Sequence, residues 1–481
     1  MRSLIIVMMC VCSANLELKA AQDGVELTVY NRDLGLVRIK KELKLKKGVS
    51  DIDFNDVAAR IDPTSVHFKS MTDPNGVSVL EQNFEYDLIS QDKMLQKYID
   101  KEVVLERYYG EGMEKKEALK GILLSTKGGK IVKIKDQIYI NPPGHFILPK
   151  LPKGLITKPT LAWKLNSRTG GVHLSELTYL THGINWKADY VLVTNKDDSR
   201  IDLTGWVTID NRSGATYLQA KLKLVAGDVN QVRRAFGGMR SKSLAMEDMV
   251  EAEAPGFKEK AFFEYHLYTL GRPSDVKDNQ TKQIELVAAS DVPVKKLFIY
   301  DGVRGVQSRY YESYRTQSSY GAKGNKKIEV ILEFKNSKDN NLGMPLPVGK
   351  MRVYKTDPDD DTLQFIGEDS IDHTPKDEEI KIKLGNAFDV VGERKQTSFK
   401  INRNVRGVPK EVLEKFRIEL RNHKETPVTV RVVEHLYRWS NWKIIEPSQK
   451  YRKKDSRTIE FDVAVPKDGK RVLFYTVKYS W

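Results

Sequence analysis

The chain has 481 residues, 40% of them apolar and 30% charged, and its 80 Lys plus Arg against 65 Asp plus Glu leave a net charge of +15. That length exceeds what one hydrophobic core supports and points to about three domains. The only cysteines, Cys10 and Cys12, lie in an apolar leader, so a chain that loses the leader has no disulfide, thiolate metal site or cysteine nucleophile. The basic balance favours polyanionic neighbours such as anionic lipid headgroups, acidic polysaccharide or nucleic acid. Its lysines and arginines are spread along alternating strand positions rather than gathered in one block, the pattern of a solvated basic surface.

At the N-terminus, Arg2 precedes an uninterrupted apolar run from Leu4 to Cys12, and the small residues Ser13 and Ala14 follow. This is the layout of a secretory signal peptide, too short for the roughly 20 apolar residues that span a bilayer. Cleavage is expected after Ala14, Ala20 or Ala21, so 1–21 is set apart as the signal. Val7-Met8-Met9 lacks the small residues of a lipobox before Cys10, which argues against a lipid anchor. No later segment is long and apolar enough to cross a membrane. The expectation is export to a periplasm, the cell surface or the medium.

Period-two alternation then recurs to the end of the chain and predicts antiparallel strands with one face on a core. Residues 22–155 form a β-rich first domain, opening with Val25–Tyr30, carrying a short helix near Gln91–Ile99 and ending in a proline-rich passage from Pro142 to Pro152. Residues 156–391 form a central β domain. Within it Ile201, Leu203, Val207 and Ile209 share one face, and Leu218, Ala220, Leu222 and Leu224 another; Ile328, Val330, Leu332 and Phe334 repeat the pattern. Two stretches without alternation, 233–260 and 302–325, read as long loops or mobile insertions. Residues 392–481 hold about six strands with the size and rhythm of an immunoglobulin-like sandwich, and Lys410–Lys415 has helical spacing. The fold class expected is mainly β, several antiparallel sandwich-like domains in tandem with very little helix.

Few residues suggest chemistry. The eight histidines form no HxH or HExxH pair, and neither a GxSxG elbow nor a Walker loop occurs. Asp357, Asp359, Asp360 and Asp361 could chelate calcium. The run contains Pro358 and lacks the glycine and distal glutamate of an EF-hand, so a solvated hairpin tip is the better reading. Arg309, Tyr310, Tyr311, Tyr314 and Arg315, flanked by Arg304 and Tyr320, interleave cations with aromatics that could stack on sugars or bases and pair with anions. Trp439 and Trp442, near a hairpin tip, suit either a sugar platform or core packing. Arg452-Lys453-Lys454 reads as a charged edge device. No catalytic, cofactor-binding or metal-ligating residue is assigned, and no cofactor is implied.

Several blocks are familiar. Val29-Tyr30-Asn31-Arg32-Asp33-Leu34-Gly35-Leu36-Val37 opens the series, and Tyr179 to Tyr190, Gly205 to Asn211, Ala220 to Val229, Gly367-Glu368-Asp369, His373 to Glu378 and Leu420 to Lys424 follow in order. Together they resemble the domain-of-unknown-function 4139 family, whose named relatives are mucoidy-inhibitor-like proteins. The coiled-coil insertion of those relatives is not visible here, so their link to capsule production is not carried over. The resemblance implies an exported, β-rich prokaryotic protein and supplies no activity or site residue. The expected role is a non-enzymatic structural or interaction module whose partners are other envelope proteins or acidic polysaccharide, with nucleic acid disfavoured. The rivals are an envelope-polysaccharide hydrolase, which would need two carboxyl groups roughly 5–10 Å apart in a cleft, and a polyanion or carbohydrate binder.

Overall fold

A computed structural model describes residues 24–55, 57–109, 113–152, 154–227, 229, 257–303, 316–322 and 324–481. The signal-like leader, residues 233–256 and the arginine–tyrosine run at 304–315, with Arg309, Tyr310, Tyr311, Tyr314 and Arg315, lie outside the described residues. What is described is overwhelmingly strand, as the alternation predicts. The one α-helix among the described residues, Gln91–Gln96, starts where Ser90 Oγ accepts a hydrogen bond from Lys93 N at 3.3 Å.

The chain divides into two compact units. The first runs up to Asn185 and adds Asp210–Leu224 and Arg272–Thr281. Its long strands Gly24–Tyr30, Leu34–Leu45 and Gly171–Thr181 pair antiparallel in that order. A second sheet places Thr160–Ser167 between Gly48–Asn55 and Val77–Glu85. Trp163 packs there with Phe54 and Phe68, ring centroids 5.7 and 5.1 Å away. A third sheet of five short strands between Glu102 and Ile147 closes over Leu95, Tyr98, Val103, Leu105, Leu123 and Val132.

The second unit comprises Trp186–Ile209, Val225–Gly271 and Lys282–Trp481. A five-stranded sheet runs in the order Gln280–Pro293, Arg200–Asn211, Ile184–Thr194, Gly349–Thr356, Leu363–Ile371. A nine-stranded sheet has the 25-residue strand Glu379–Arg403 near its middle, between Pro409–Asn422 and Lys327–Lys335. Each sheet contains a parallel pair, Ala188–Thr194 on Gly349–Lys355 in the first and Phe298–Asp301 on Val430–Val433 in the second. The members of a parallel pair must be far apart in sequence because the chain has to cross over. The apolar alternation of Val412, Phe416, Ile418 and Leu420 with Val430, Val432, Phe461, Val463, Tyr475 and Val477 makes the core of the larger sheet.

Three local expectations are corrected. Lys410–Lys415 is not helical: it lies within Pro409–Asn422, which pairs on both sides, with Glu379–Arg403 and Gly469–Ser480. Two-sided pairing outweighs the helix propensity of a short Lys–Glu–Leu stretch. Leu218 does not share the inward face of Ala220, Leu222 and Leu224; it is 57% exposed. Gln219 has a positive φ of 46°, the pairing shifts register between Tyr217 and Ala220, and the change of parity buries Tyr217 instead. Residues 257–260, taken as part of an irregular stretch, open the strand Phe257–Phe262, which pairs with Tyr265–Leu270.

Candidate functional site

Within the nine-stranded sheet, alternation places three charged side chains where apolar ones belong. Glu414 follows Val412 and precedes Phe416 on the inward face; Glu434 continues Val430 and Val432; Arg394 continues Val390 and Gly392. Arg438 follows just after the strand Val428–His435. The Arg394–Glu434 and Arg438–Glu414 pairs both have side chains with 0% exposure, a state that is costly unless the charges are paired and hydrogen-bonded.

Most of their polar atoms are, although Arg394 Nη2 and Glu414 Oε2 are buried with no hydrogen-bond partner. Arg394 Nε sits 3.0 Å from each Glu434 oxygen, its guanidinium carbon lies 3.8 Å from the centre of the Phe416 ring, and its Nη1 donates to Gly321 O at 2.7 Å. Glu434 also accepts from the Tyr475 hydroxyl. Arg438 Nη2 donates to Glu414 Oε1 at 2.7 Å and to Tyr320 O at 3.1 Å, and Nη1 donates to Gln317 O at 2.9 Å. Glu414 Oε1 takes a further bond from Gln396 Nε2 at 2.7 Å. Burial works against the Arg394 charge, but Glu434 and the neighbouring phenol oxygens outweigh it and hold the guanidinium pKa well above its ordinary value. Burial likewise pushes the Tyr475 and Tyr479 phenols far up.

The two arginines thus spend three of their donated bonds on backbone carbonyls of residues 317–321. Gly321 is fixed there twice over: its φ is +70°, and a Cβ would fall 2.2 Å from the Tyr437 ring. The ends of the surrounding segment are also tied. Asn325 N donates to Gly302 O at 3.0 Å, and Asn325 Nδ2 donates to Asp301 O at 2.6 Å. Asp301 in turn holds His435, Nε2 to Oδ2 3.0 Å, and that hydrogen bond raises the imidazole pKa against the opposing effect of burial. The arrangement is a closed ionic clamp. With its charges sealed from solvent, it holds the main chain at 317–321.

The remaining sequence candidates are spread through the molecule. Trp439 and Trp442 are half-buried and lean on the core of the nine-stranded sheet; Trp442 Nε1 donates to Ser456 O at 2.7 Å and Lys453 Nζ lies 5.1 Å from its ring centre. Asp357 to Asp361 form the tip of the hairpin Gly349–Thr356 and Leu363–Ile371, and their carboxylates serve the turn: Asp357 Oδ1 accepts from Asp359 N and Asp360 Oδ1 from Thr362 N. Among the described residues no three His, Asp or Glu side chains gather to hold a metal. Trp186 is a buried plug, donating to Val225 O at 3.2 Å. The corner before it needs Gly183, with φ +80° and a would-be Cβ 2.6 Å from Arg212 O. Gly183 N donates to Asp33 Oδ1 at 2.7 Å and its carbonyl accepts from Arg212 N at 2.6 Å, so two of the familiar blocks meet at one structural corner, with Arg212 just past the end of a third.

Sequence reasoning missed a repeated device. Asn211, Asn336 and Asn422, all fully buried, stand at or just beyond the ends of long strands. Each amide nitrogen donates to carbonyls across the following turn: Asn336 to Met344 and Pro375, Asn422 to Thr426 and Pro466, and Asn211 to Ala215 and Lys277. Each Oδ1 accepts a backbone N–H two or more residues on. An asparagine closing a run of alternation is the signal that could have found them.

A family model described as a domain of unknown function (DUF4139) matches residues 175–481. The match begins downstream of the Val29–Val37 block and contains the clamp and all three asparagines. No curated protein matches the chain.

Proposed function

The chain belongs to the family of the domain of unknown function DUF4139, and on that premise we propose that it is an exported protein of the cell envelope or the outside world, working as a structural or interaction module. The leader Arg2 to Ala14 supports export. The observation that carries the module reading is the clamp. Strongly perturbed ionisable groups usually mark reactive sites, but here the densest set is sealed, with both ion pairs at 0% exposure, and is used to hold residues 317–321. Those residues adjoin the arginine–tyrosine run of the sequence, so the clamp fixes the C-terminal root of a segment rich in cations and aromatics. With a net charge of +15, the favoured partners are acidic polysaccharide or acidic surfaces of other envelope proteins.

Cell fractionation with mass spectrometry of the mature N-terminus and of co-purifying molecules tests this. The expected product is an envelope or extracellular protein beginning after Ala14, Ala20 or Ala21; a cytosolic protein retaining Met1 overturns export. Salt-sensitive retention on heparin should weaken in Arg309→Ala/Arg315→Ala. Release of reducing sugar ends from envelope polysaccharide by the purified protein would favour a hydrolase instead.

A further inference from the structure

The second unit contains a cavity of about 250 Å³ whose chemistry is unlike that of the clamp. Its apolar part is made by Phe298, Val330, Leu332, Ile366, Leu384 and Ala387. Phe298 and Val330 are cross-strand partners, as are Lys296 and Leu332, so these four lie on one face of adjacent strands. The polar rim is made by Lys296, Lys355, Lys424, Asp198 and the Asn386 amide.

Two β-bulges shape the cavity. Val353 faces Gly367 and Tyr354 faces Phe365, which leaves Ile366 as the extra residue of its strand. Val330 faces Gly385 and Ile331 faces Lys383, which leaves Leu384 as the extra residue of the next. Both extra residues line the cavity, each beside a glycine with large positive φ, Gly367 at +154° and Gly385 at +152°. The strands approach so closely that a Cβ on Gly367 would lie 2.5 Å from Leu384 O. Bulges re-aim side chains that a regular ladder would point elsewhere, and are over-represented beside functional sites.

The charges around the rim do not balance. Asp198 sits in the turn after Ile184–Thr194 and is shared by two ammonium groups, Lys296 Nζ at 2.7 Å and Lys355 Nζ at 2.5 Å. Burial raises the pKa of Asp198, but the two lysine hydrogen bonds outweigh it and hold the carboxyl below its ordinary value. Lys355 also donates to Lys196 O at 2.9 Å. Among the described residues, the carboxylate paired with Lys424 is Asp389, at 3.8 Å and outside the lining. Three lysines therefore line the cavity with one carboxylate among the lining residues, all partly desolvated, beside an apolar wall.

We propose that this cavity is a binding site for a small amphiphilic anion, a carboxylate on a short apolar body, with the head among Lys296, Lys355 and Lys424 and the body against Phe298, Leu332, Ile366 and Leu384. A volume under the roughly 300–1,000 Å³ of drug-sized pockets sets the scale of the body at a medium-length alkyl chain or a single ring. The inference goes beyond the module reading and does not depend on it: a cytosolic location would leave it standing, and its failure would leave export untouched.

Isothermal titration of the purified protein with sodium octanoate tests it, with acetate supplying the head without the body and 1-octanol the body without the head. Octanoate should bind saturably at one site, and acetate and octanol each about tenfold or more weaker. Lys424→Met, whose nearest carboxylate, Asp389, is 3.8 Å away, should weaken octanoate about tenfold at unchanged melting temperature, and Lys296→Met, which also breaks the pair with Asp198, should weaken it as much with a small loss of stability. Ile366→Trp should block the cavity. Absence of saturable octanoate binding by the folded protein overturns the proposal, as does octanol binding as tightly as octanoate, or unchanged octanoate affinity in Lys424→Met.

Discussion

The second unit handles charge in two opposite ways. In the clamp, Arg394 and Glu434 are 0% exposed and every strong contact is internal; at the cavity rim, Lys355 and Asp198 are 28% and 15% exposed and outnumbered by further cations. A sealed ion pair is expensive to desolvate and becomes costly to break, so it acts as a positional device. A pair still partly open to solvent contributes less to stability than a sealed one and exchanges partners more readily, which suits a surface that receives something from outside.

Substitutions that treat the two regions alike should separate them. The largest effect is expected for Arg394→Met, which leaves Glu434 buried and unpaired: about 3–5 kcal/mol lost in denaturant unfolding. The double variant Arg394→Met/Glu434→Met should be the less destabilised of the two, since no buried charge remains; greater loss in the double variant would mean that the pair itself supplies net stability. Next comes Asn336→Ala, which strips partners from Met344 O, Pro375 O and Gly343 N and should cost about 2–3 kcal/mol in the same experiment. At the rim, Asp198→Asn should cost only about 0.5–1 kcal/mol, since both of its lysine partners are partly solvated. A loss equal to that of Arg394→Met would erase the distinction between the regions.

The smallest effect concerns pH. The folded pKa of His435 is raised above its ordinary value of about 6.5, chiefly by the Asp301 hydrogen bond. The stabilisation is therefore fully present below the unfolded pKa and is lost as pH rises through the folded one. The stability difference between the wild type and His435→Gln should shrink across that window, read from unfolding curves on either side of it; a difference that grows with pH would mean that the neutral imidazole is the form the fold prefers.

What the sequence made legible was local. Alternation and the short helix near Gln91–Ile99 each depend on residues close together in the chain. The Leu218 face was misread because one positive φ at Gln219 changes parity, and no residue type announces that. The clamp was half legible: Glu414, Glu434 and Arg394 each interrupt an inward apolar series, so their burial could have been read. Which arginine meets which glutamate could not, since that depends on strands paired far apart in sequence. The cavity was hidden for the same reason, because Asp198, Lys296 and Lys355 meet only through the sheet order, and its two bulges are faults of register that alternation conceals.

Hydrogen exchange at the amides of Tyr320 and Ala322, which donate to Gln317 O and Ser319 O, tests the clamp most directly when the wild type is compared with Arg394→Met/Glu434→Met. If the buried arginine exists to hold 317–321, these amides lose protection while Val430, Val432 and Phe461 in the core strands keep theirs. Unchanged protection at Tyr320 and Ala322, or uniform loss across the sheet, would contradict the claim that the sealed charge positions this segment.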